Sequence, residues 1–533
     1  MESDADPVLY ACAPCKKNKR RCDKRVPSCG SCLKTGRVCD YSSPPQVTPE
    51  SEISALQRRV QELEEHVRQF PVQMPSVSST SGPVDSNLSI QAFYLDSEVW
   101  SSLKFPDRPA QILAPDDICA ALGDQADIDS IKTGYFQSIH VWLPFVSKIR
   151  VSRLTQVPQS CPKTDIALLL LCMRLIQEVP DRYGPHSLDL YNLAKEFSKR
   201  LELEGLLTLS TVQAGVLLLL YEIGHGIFPA AFMTISYCAR QGVALGLHNK
   251  FAPQLYGKPR FWGDWEERQR VWWTIMILDR YVAIGGGYRP LCTDDPGRDT
   301  FLPVDDDAWN SGEMVPPERV SLSSKTITKE ISSFARLAQA SNLLGRVIRH
   351  CGDSSLEINF MLDGFETLCQ ANYSLLELLQ NQGPLTGLDA VIARTICYSA
   401  LFKLSDSYSC ELFYEETQYD AQTAPRVRQC LERSLHIMND ICGQVTTLIQ
   451  EVRGLLTPET LKTASPLMLE CVYTCAQSIL WISQETNNQQ LASAKMVSED
   501  MLRFLDGRWK VADLLRIGVY LELTKRSEVG QDE

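Results

Sequence analysis

The stretch from Ala11 to Tyr41, "ACAPCKKNKRRCDKRVPSCGSCLKTGRVCDY", holds six of the chain's 19 cysteines. It also carries nine lysines and arginines against two aspartates. Cys12, Cys15, Cys22, Cys29, Cys32 and Cys39 follow the spacing C-x2-C-x6-C-x6-C-x2-C-x6-C, an internal repeat with a period of 17. Lys17 matches Lys34 under that shift, and Arg20 matches Arg37. A pair of CxxC motifs in an intracellular chain reads as a zinc site. One zinc takes four ligands and leaves two cysteines idle, whereas two zincs need eight ligand positions from six thiolates. The sum closes when two sulfurs bridge both ions. The repeat requires the bridging pair to be equivalent: Cys12 with Cys29, Cys15 with Cys32, or Cys22 with Cys39. No histidine lies between residues 1 and 65, which excludes two-cysteine, two-histidine and RING-like schemes locally.

The charge distribution sets this head apart. The 533 residues carry a formal net charge of −12, and 44% are hydrophobic, enough to bury a core. Residues 1–45 sum to +4, so the remainder sums to −16. A basic head on an acidic body predicts that only the head seeks a polyanion. The opening "MESDADPV" is acidic and has no apolar core, so no secretory signal is expected. Apolar runs such as Ile166–Met173 fall short of the ~18 residues of a membrane span, and no membrane partner is expected. The thiols should therefore stay reduced. The later cysteines, among them Cys172, Cys238, Cys397, Cys471 and Cys475, read as small buried hydrophobes.

Residues 11–41 resemble the fungal binuclear zinc cluster (Zn2Cys6) transcription factors across their whole length. The resemblance implies two Zn(2+) per chain, with Cys12 and Cys29 bridging. One ion would take Cys12, Cys15, Cys22 and Cys29; the other would take Cys29, Cys32, Cys39 and Cys12. It also places Pro27 in the loop joining the halves. It implies double-stranded DNA as partner, with a lysine at the position of Lys19 reading a CG-rich triplet. The neighbouring base-contact position, often basic in the family, is Asn18 here.

The residues themselves point the same way. "KKNKRR" between Cys15 and Cys22 holds five cations in six positions, while "LKTGRV" between Cys32 and Cys39 holds two. Pro14 suits the first turn of a short helix, and Gly36 should shorten a helix in the second half. The first half should meet DNA and the second should brace it. A basic helix can enter the major groove, where lysine and arginine recognise guanine O6 and N7. Lys16, Lys17, Arg20, Arg21, Lys24 and Arg25 are then phosphate contacts, which position rather than specify.

Behind the head, Ile53, Leu56, Val60, Leu63, Val67 and Phe70 recur at alternating spacings of 3 and 4. β-Branched residues at a with Leu at d predict a parallel two-stranded coiled coil, hence a homodimer through 49–70. Thr48 and Pro49 suit its start and Pro71 its stop. Arg59 at g can face Glu64 at e of the partner, an exposed pairing that selects more than it holds.

The expected architecture is mainly α. It comprises a disordered tail (1–10), the small two-zinc, six-cysteine cluster module (11–41), a linker (42–48), the coiled coil (49–70), a flexible linker (71–94) and a large all-α regulatory domain (95–525). Helical periodicity marks Asp165–Glu178, Leu188–Leu203, Thr211–Ile223, Ala230–Leu247, Trp265–Ile284, Lys329–His350 and Asn359–Leu379, then Leu388–Leu412, Arg426–Val452, Pro458–Ser483 and Ala492–Asp506. "YFQSIHVWLPFV", "ARQGVALGLH" and "ERQRVWWTIMILDRYVAIGGGYRP" resemble the middle homology domain of the same family. Trp272 and Trp273 read as packing residues, His140 and His225 as structural, and the acidic Asp294–Asp307 as a solvated loop. "GGGYRP" follows a helix, so it stops one rather than cradling phosphate.

The body leaves room for a small-molecule effector but names no ligand. Cys410–Asp420 mixes acidic and aromatic residues, as an activation segment would. No GxxxxGK[ST], HExxH or GxSxG occurs, so no enzyme is expected. These readings converge on a zinc-dependent, sequence-specific regulator in the nucleus, working with the transcription machinery. The resemblance implies an activator of a metabolic or secondary-metabolite gene cluster binding CG-rich half-sites as a dimer. A zinc-stabilised protein-interaction module, or a repressor without activation function, is the alternative.

Overall fold

The computed structural model describes residues 11–18 and 21–41, then 114–519 apart from 157–161, 182–187, 256–257, 260, 286–288, 324–330, 354, 382–386, 410–419, 421 and 487–489. The coiled-coil segment 49–70, both linkers, the tail 1–10, and Lys19 and Arg20 lie outside the described residues, as does most of Cys410–Asp420. The chain divides into two compact units, Met1–Val84 and Asp85–Glu533. No β-strand occurs among the described residues, only an isolated bridge between Phe301 and Ser321.

The first unit contains α1 (Ala13–Lys17) and α2 (Gly30–Lys34). The second opens with α3 (Asp116–Leu122), α4 (Gln125–Phe136), α5 (Ile139–Trp142) and α6 (Lys148–Thr155). It continues through α7 (Thr164–Leu175), α8 (Asp189–Leu203), α9 (Leu209–His225), α10 (Ala230–Ala244), α11 (Trp262–Ile284) and α12 (Asp306–Ser311). The remaining helices are α13 (Ser333–Gly352), α14 (Ile358–Gln380), α15 (Asp389–Tyr408), α16 (Thr423–Leu455), α17 (Leu469–Thr486) and α18 (Gln490–Leu505), and 511–519 is helical as well.

Central helices lack an amphipathic face because neighbours cover every side. From Ser210 to His225, α9 is buried throughout. It packs on α7, α10 and α11; further on, α13 lies against α15, and α15 against α16 and α17. Local chemistry fixes the ends of α9. Thr208 Oγ1 accepts from Thr211 N at 3.2 Å while Thr208 N donates to Thr211 Oγ1 at 2.9 Å, a reciprocal capping box. At the far end Gly226 takes a left-handed φ of 70°, which suits glycine.

Most long helices fall close to the expected spans, with three instructive departures. Pro458–Ser483 is no single helix: Pro466 lies in a 3-10 turn and α17 starts only at Leu469. Several short helices carry too few turns to show a period, α3, α5 and α12 among them. The acidic stretch Asp294–Asp307 is also no simple solvated loop. Asp306 accepts from the buried Arg270 at 2.6 Å, and Asp295 from Arg280 and Arg349 at 3.1 Å each.

Arg270 has no exposed surface. It donates to Glu266 at 2.9 Å, the Pro144 carbonyl at 3.1 Å and the Val304 carbonyl at 2.7 Å, and lies over Trp309. One turn away in the same motif, Glu267 accepts from Arg150 Nε at 2.7 Å and from Gln213 at 2.9 Å.

Trp273 is buried and donates to the Phe301 carbonyl at 3.1 Å, while the Trp272 ring lies against Gly242 of α10. Gly285 ends α11, in keeping with a helix stop. Cys172, Cys238, Cys397, Cys471 and Cys475 are buried as expected, whereas Cys351 is half-buried, Cys292 is exposed and Cys119 is disulfide-bonded, against the expectation of buried free thiols. His140 and His225 are structural. Burial lowers their pKa values from 6.5 to about 4 and about 3 respectively.

Two outcomes follow from these buried groups. Arg270→Ala strips Glu266 and Asp306 of their partner and should cost about 3–5 kcal/mol. Arg503→Ala, in an exposed pair with Asp500, should cost under about 1 kcal/mol. Urea titration followed by tryptophan fluorescence checks both, since all nine tryptophans lie between residues 100 and 509. The histidines set a pH dependence. Their stabilising contribution is complete above pH 6.5 and falls as pH drops toward the folded values. Between pH 7.5 and 5 each should cost about 2 kcal/mol. A thermal midpoint that stays flat over that range would contradict this.

Candidate metal centre and nucleic-acid interface

Each half of the head places its first cysteine at a helix N-cap: Cys12 before α1 and Cys29 before α2, 17 residues apart. Both helices have five residues, so the 17-residue repeat is structural as well as chemical. Gly36, at φ 61°, turns the chain after α2 without making that helix the shorter one. The halves therefore differ in charge rather than in helix length.

Cysteine side chains converge between the two helices. Cys12 Sγ lies 3.7 Å from both Cys29 Sγ and Cys32 Sγ; Cys15 Sγ lies 3.6 Å from Cys29 and 3.9 Å from Cys32. Cys22 Sγ approaches Cys12 at 3.9 Å and lies within 4.8 Å of the Cys29 sulfur, and Cys39 Sγ accepts from Cys29 N at 3.3 Å. A tetrahedral zinc with Zn–S bonds of about 2.3 Å has ligand–ligand edges of roughly 3.8 Å. The spacings among Cys12, Cys15, Cys29 and Cys32, all within 4.8 Å of one another, match that edge, so these four residues fit a zinc ion. Cys12, Cys15, Cys29 and Cys32 are buried, while Cys22 and Cys39 are half-buried at the rim.

The thiols have divergent electrostatics. Cys29 is pulled down to about 6, chiefly because Cys32 N–H donates to its sulfur at 3.3 Å. Burial pushes Cys32 up to about 12 and raises Cys12 as well. Holding the buried Cys12 and Cys32 as thiolates beside Cys29 calls for a cation among the sulfurs, a charge that zinc would supply.

Further contacts fix the module around the sulfurs. Ala13 N donates to the Asp40 carbonyl at 2.9 Å, joining the first helix to the end of the module. Tyr41 Oη donates to the Arg25 carbonyl at 3.3 Å and lies 3.5 Å from Cys22 Sγ. Asp23 accepts from Gly30 N through both oxygens, at 2.9 and 3.1 Å. Neither Asp23, Gly30 nor Tyr41 stands out in the sequence, although Asp23 is the sole acidic residue between Cys15 and Cys39.

Lys16 and Lys17 form the exposed last turn of α1, and Arg21, Lys24 and Arg25 are exposed on the loop that follows. Asn18 caps α1, its side-chain amide donating to the Pro14 carbonyl at 2.8 Å. The opposite half exposes Leu33 and Val38, at 72% and 88%. The cations thus project from a frame that the cysteines hold.

Comparison with known proteins agrees with this geometry. Residues 10–47 match the fungal Zn(2)-Cys(6) binuclear cluster domain, and residues 133–499 match the fungal specific transcription factor domain. The chain is 51% identical over 183 residues to "Transcription factor BOA15" of Botryotinia fuckeliana, covering 34% of this chain and 99% of that protein. It is 21% identical over 472 residues to the "Pigment biosynthesis transcriptional activator pigB" of Monascus ruber, covering 83% and 82%. With the "Citrinin biosynthesis transcriptional activator mrl3" of the same species it shares 24% identity over 341 residues, covering 57% and 65%. With a zinc-cluster head and a helical body that each match, the chain belongs to the fungal Zn(2)-Cys(6) transcription factors, which are zinc-binding regulators and not enzymes.

Proposed function

We propose that this chain is a nuclear, sequence-specific activator of a biosynthetic gene cluster, binding CG-rich half-sites as a homodimer through 49–70. Relatives that activate pigment and citrinin biosynthesis support the choice of target class. The observation that carries the DNA-reading role is the convergence of six cysteines beneath an exposed basic helix end. Lys19 is the base-reading residue with Asn18 beside it. Lys16, Lys17, Arg20, Arg21, Lys24 and Arg25 meet phosphates.

Two zinc ions share Cys12 and Cys29 in this reading. Its support is positional: Cys12 approaches Cys22, Cys29 and Cys32, and Cys29 approaches Cys12, Cys15, Cys22 and, through its backbone, Cys39. Cys22 and Cys39 sit at the rim, where a bridging pair would be poorly placed.

Elemental analysis of the purified protein should give two zincs per chain. Cys12→Ser or Cys29→Ser should lose both ions, whereas Cys22→Ser or Cys39→Ser should keep one. Equal losses from all four variants would reject the bridging assignment. For DNA, removing Lys16 or Lys17 should lower the slope of log affinity against log salt by about 0.9 per contact. Lys19→Ala should instead relax sequence choice; a uniform loss on every duplex would sink its role. Genome-wide chromatin binding of the tagged protein tests the whole proposal, and a profile without a common motif would count against it.

A further inference from the structure

The loop around Cys22 carries three of the cations assigned to phosphate, Arg21, Lys24 and Arg25, and one anion, Asp23. A carboxylate beside a polyanion works against binding, so Asp23 needs a compensating role. Both its oxygens accept from Gly30 N, at 2.9 and 3.1 Å, and Oδ2 lies 3.9 Å from Arg25 Nε. Gly30 opens α2, and a Cβ there would stand 2.8 Å from Asp23 Oδ2, closer than real side chains allow.

Backbone geometry marks the same loop. Lys24 has a φ of 62°, the one positive value among the described non-glycine residues. Immediately beyond it, the Arg25 carbonyl accepts from Tyr41 Oη at 3.3 Å. The loop is thus pinned at Asp23 and at Arg25, with a strained residue carrying a cation between the pins.

We propose that Asp23 is a positioning residue for DNA recognition: through its bonds to Gly30 it fixes the loop Arg21–Arg25 against α2 and so sets where the loop's cations stand. The inference rests on the module being a DNA reader, and goes beyond it: the loop's phosphate contacts set the register in which the module meets the base edges, and an anion and a glycine hold that loop in place. Cys22, Asp23 and Cys29 are also close enough to share an ion, so zinc content is measured in parallel.

The test uses the full-length protein, a duplex it selects from a randomised pool, and an unselected duplex of equal length. The readout is the ratio of the two affinities. Asp23→Ala and Gly30→Ala should each lower that ratio about tenfold. Both remove one shared contact, so the double variant should fall no further than either single one. Asp23→Asn keeps an acceptor oxygen and should hold the ratio within about threefold of the parent. Zinc content should stay unchanged in the Asp23 variants. Where Gly30→Ala loses zinc and fails to fold, the contrast between Asp23→Ala and Asp23→Asn decides.

An unchanged ratio in Asp23→Ala, with tighter binding to both duplexes, would make the carboxylate a mere repelling charge and overturn the proposal. Additive, roughly hundredfold losses in the double variant would overturn it as well. Zinc lost from Asp23→Ala would make Asp23 a metal ligand instead. A parent protein that selects no sequence would remove the DNA-reading function itself, and this inference with it.

Discussion

Among the described residues from Ala11 to Tyr41, the only side chains withdrawn from solvent are thiols. Cys12, Cys15, Cys29 and Cys32 are at most 3% exposed, whereas Leu33 and Val38, which a larger domain would bury, stand outside. A segment this short has too little apolar surface to fold by burial, so metal–thiolate bonds must replace the hydrophobic core. Every other feature of the module depends on that substitution. The two five-residue helices are far below the length at which an isolated helix persists, and each is held by the cysteines at its start. The cationic end of α1 can face a polyanion only because the sulfurs beneath it fix its direction.

The body solves a different problem with the opposite means. It has apolar surface in excess and must still hold charges inside. Helix α11 buries Glu266, Glu267, Arg270, Asp279 and Arg280 alongside Trp273 and a run of aliphatic residues. Burying an ion is tolerable only when partners satisfy it, and those partners come from distant parts of the chain. Arg150 is 117 residues from Glu267, and Asp306 is 36 residues from Arg270. Breaking such a pair removes more than a contact, because the surviving charge stays buried.

This difference explains which parts can be read from residues alone. The cysteine spacing fixes ligand number, and ligand number leaves few ways to place two ions. Long helices such as α9 and α11 announce themselves through runs of apolar residues closed by Gly226 and Gly285. Short helices such as α12 are specified by tertiary contact instead: Asp305 caps it, yet its register depends on Arg270 from another helix. The acidic stretch Asp294–Asp307 reads as solvent-facing loop because its counter-charges lie on α11 and α13. Asp23 escapes notice for the same reason on a smaller scale: its partner is a backbone N–H, invisible in side-chain patterns.

The contacts among the four buried sulfurs obey an exchange rule. Under the 17-residue shift, the Cys12–Cys32 approach of 3.7 Å becomes the Cys15–Cys29 approach of 3.6 Å, while Cys12–Cys29 and Cys15–Cys32 map onto themselves. That is the arithmetic of an isologous interface, here folded into one chain in place of two subunits. Neither half owns a complete ligand set, so each is the other's subunit. The repeat constrains its two halves unequally: sulfurs must keep their exchange partners, but surfaces are free to differ. One half can carry five cations between its cysteines and the other two, with Leu33 and Val38 exposed, without disturbing the frame they share.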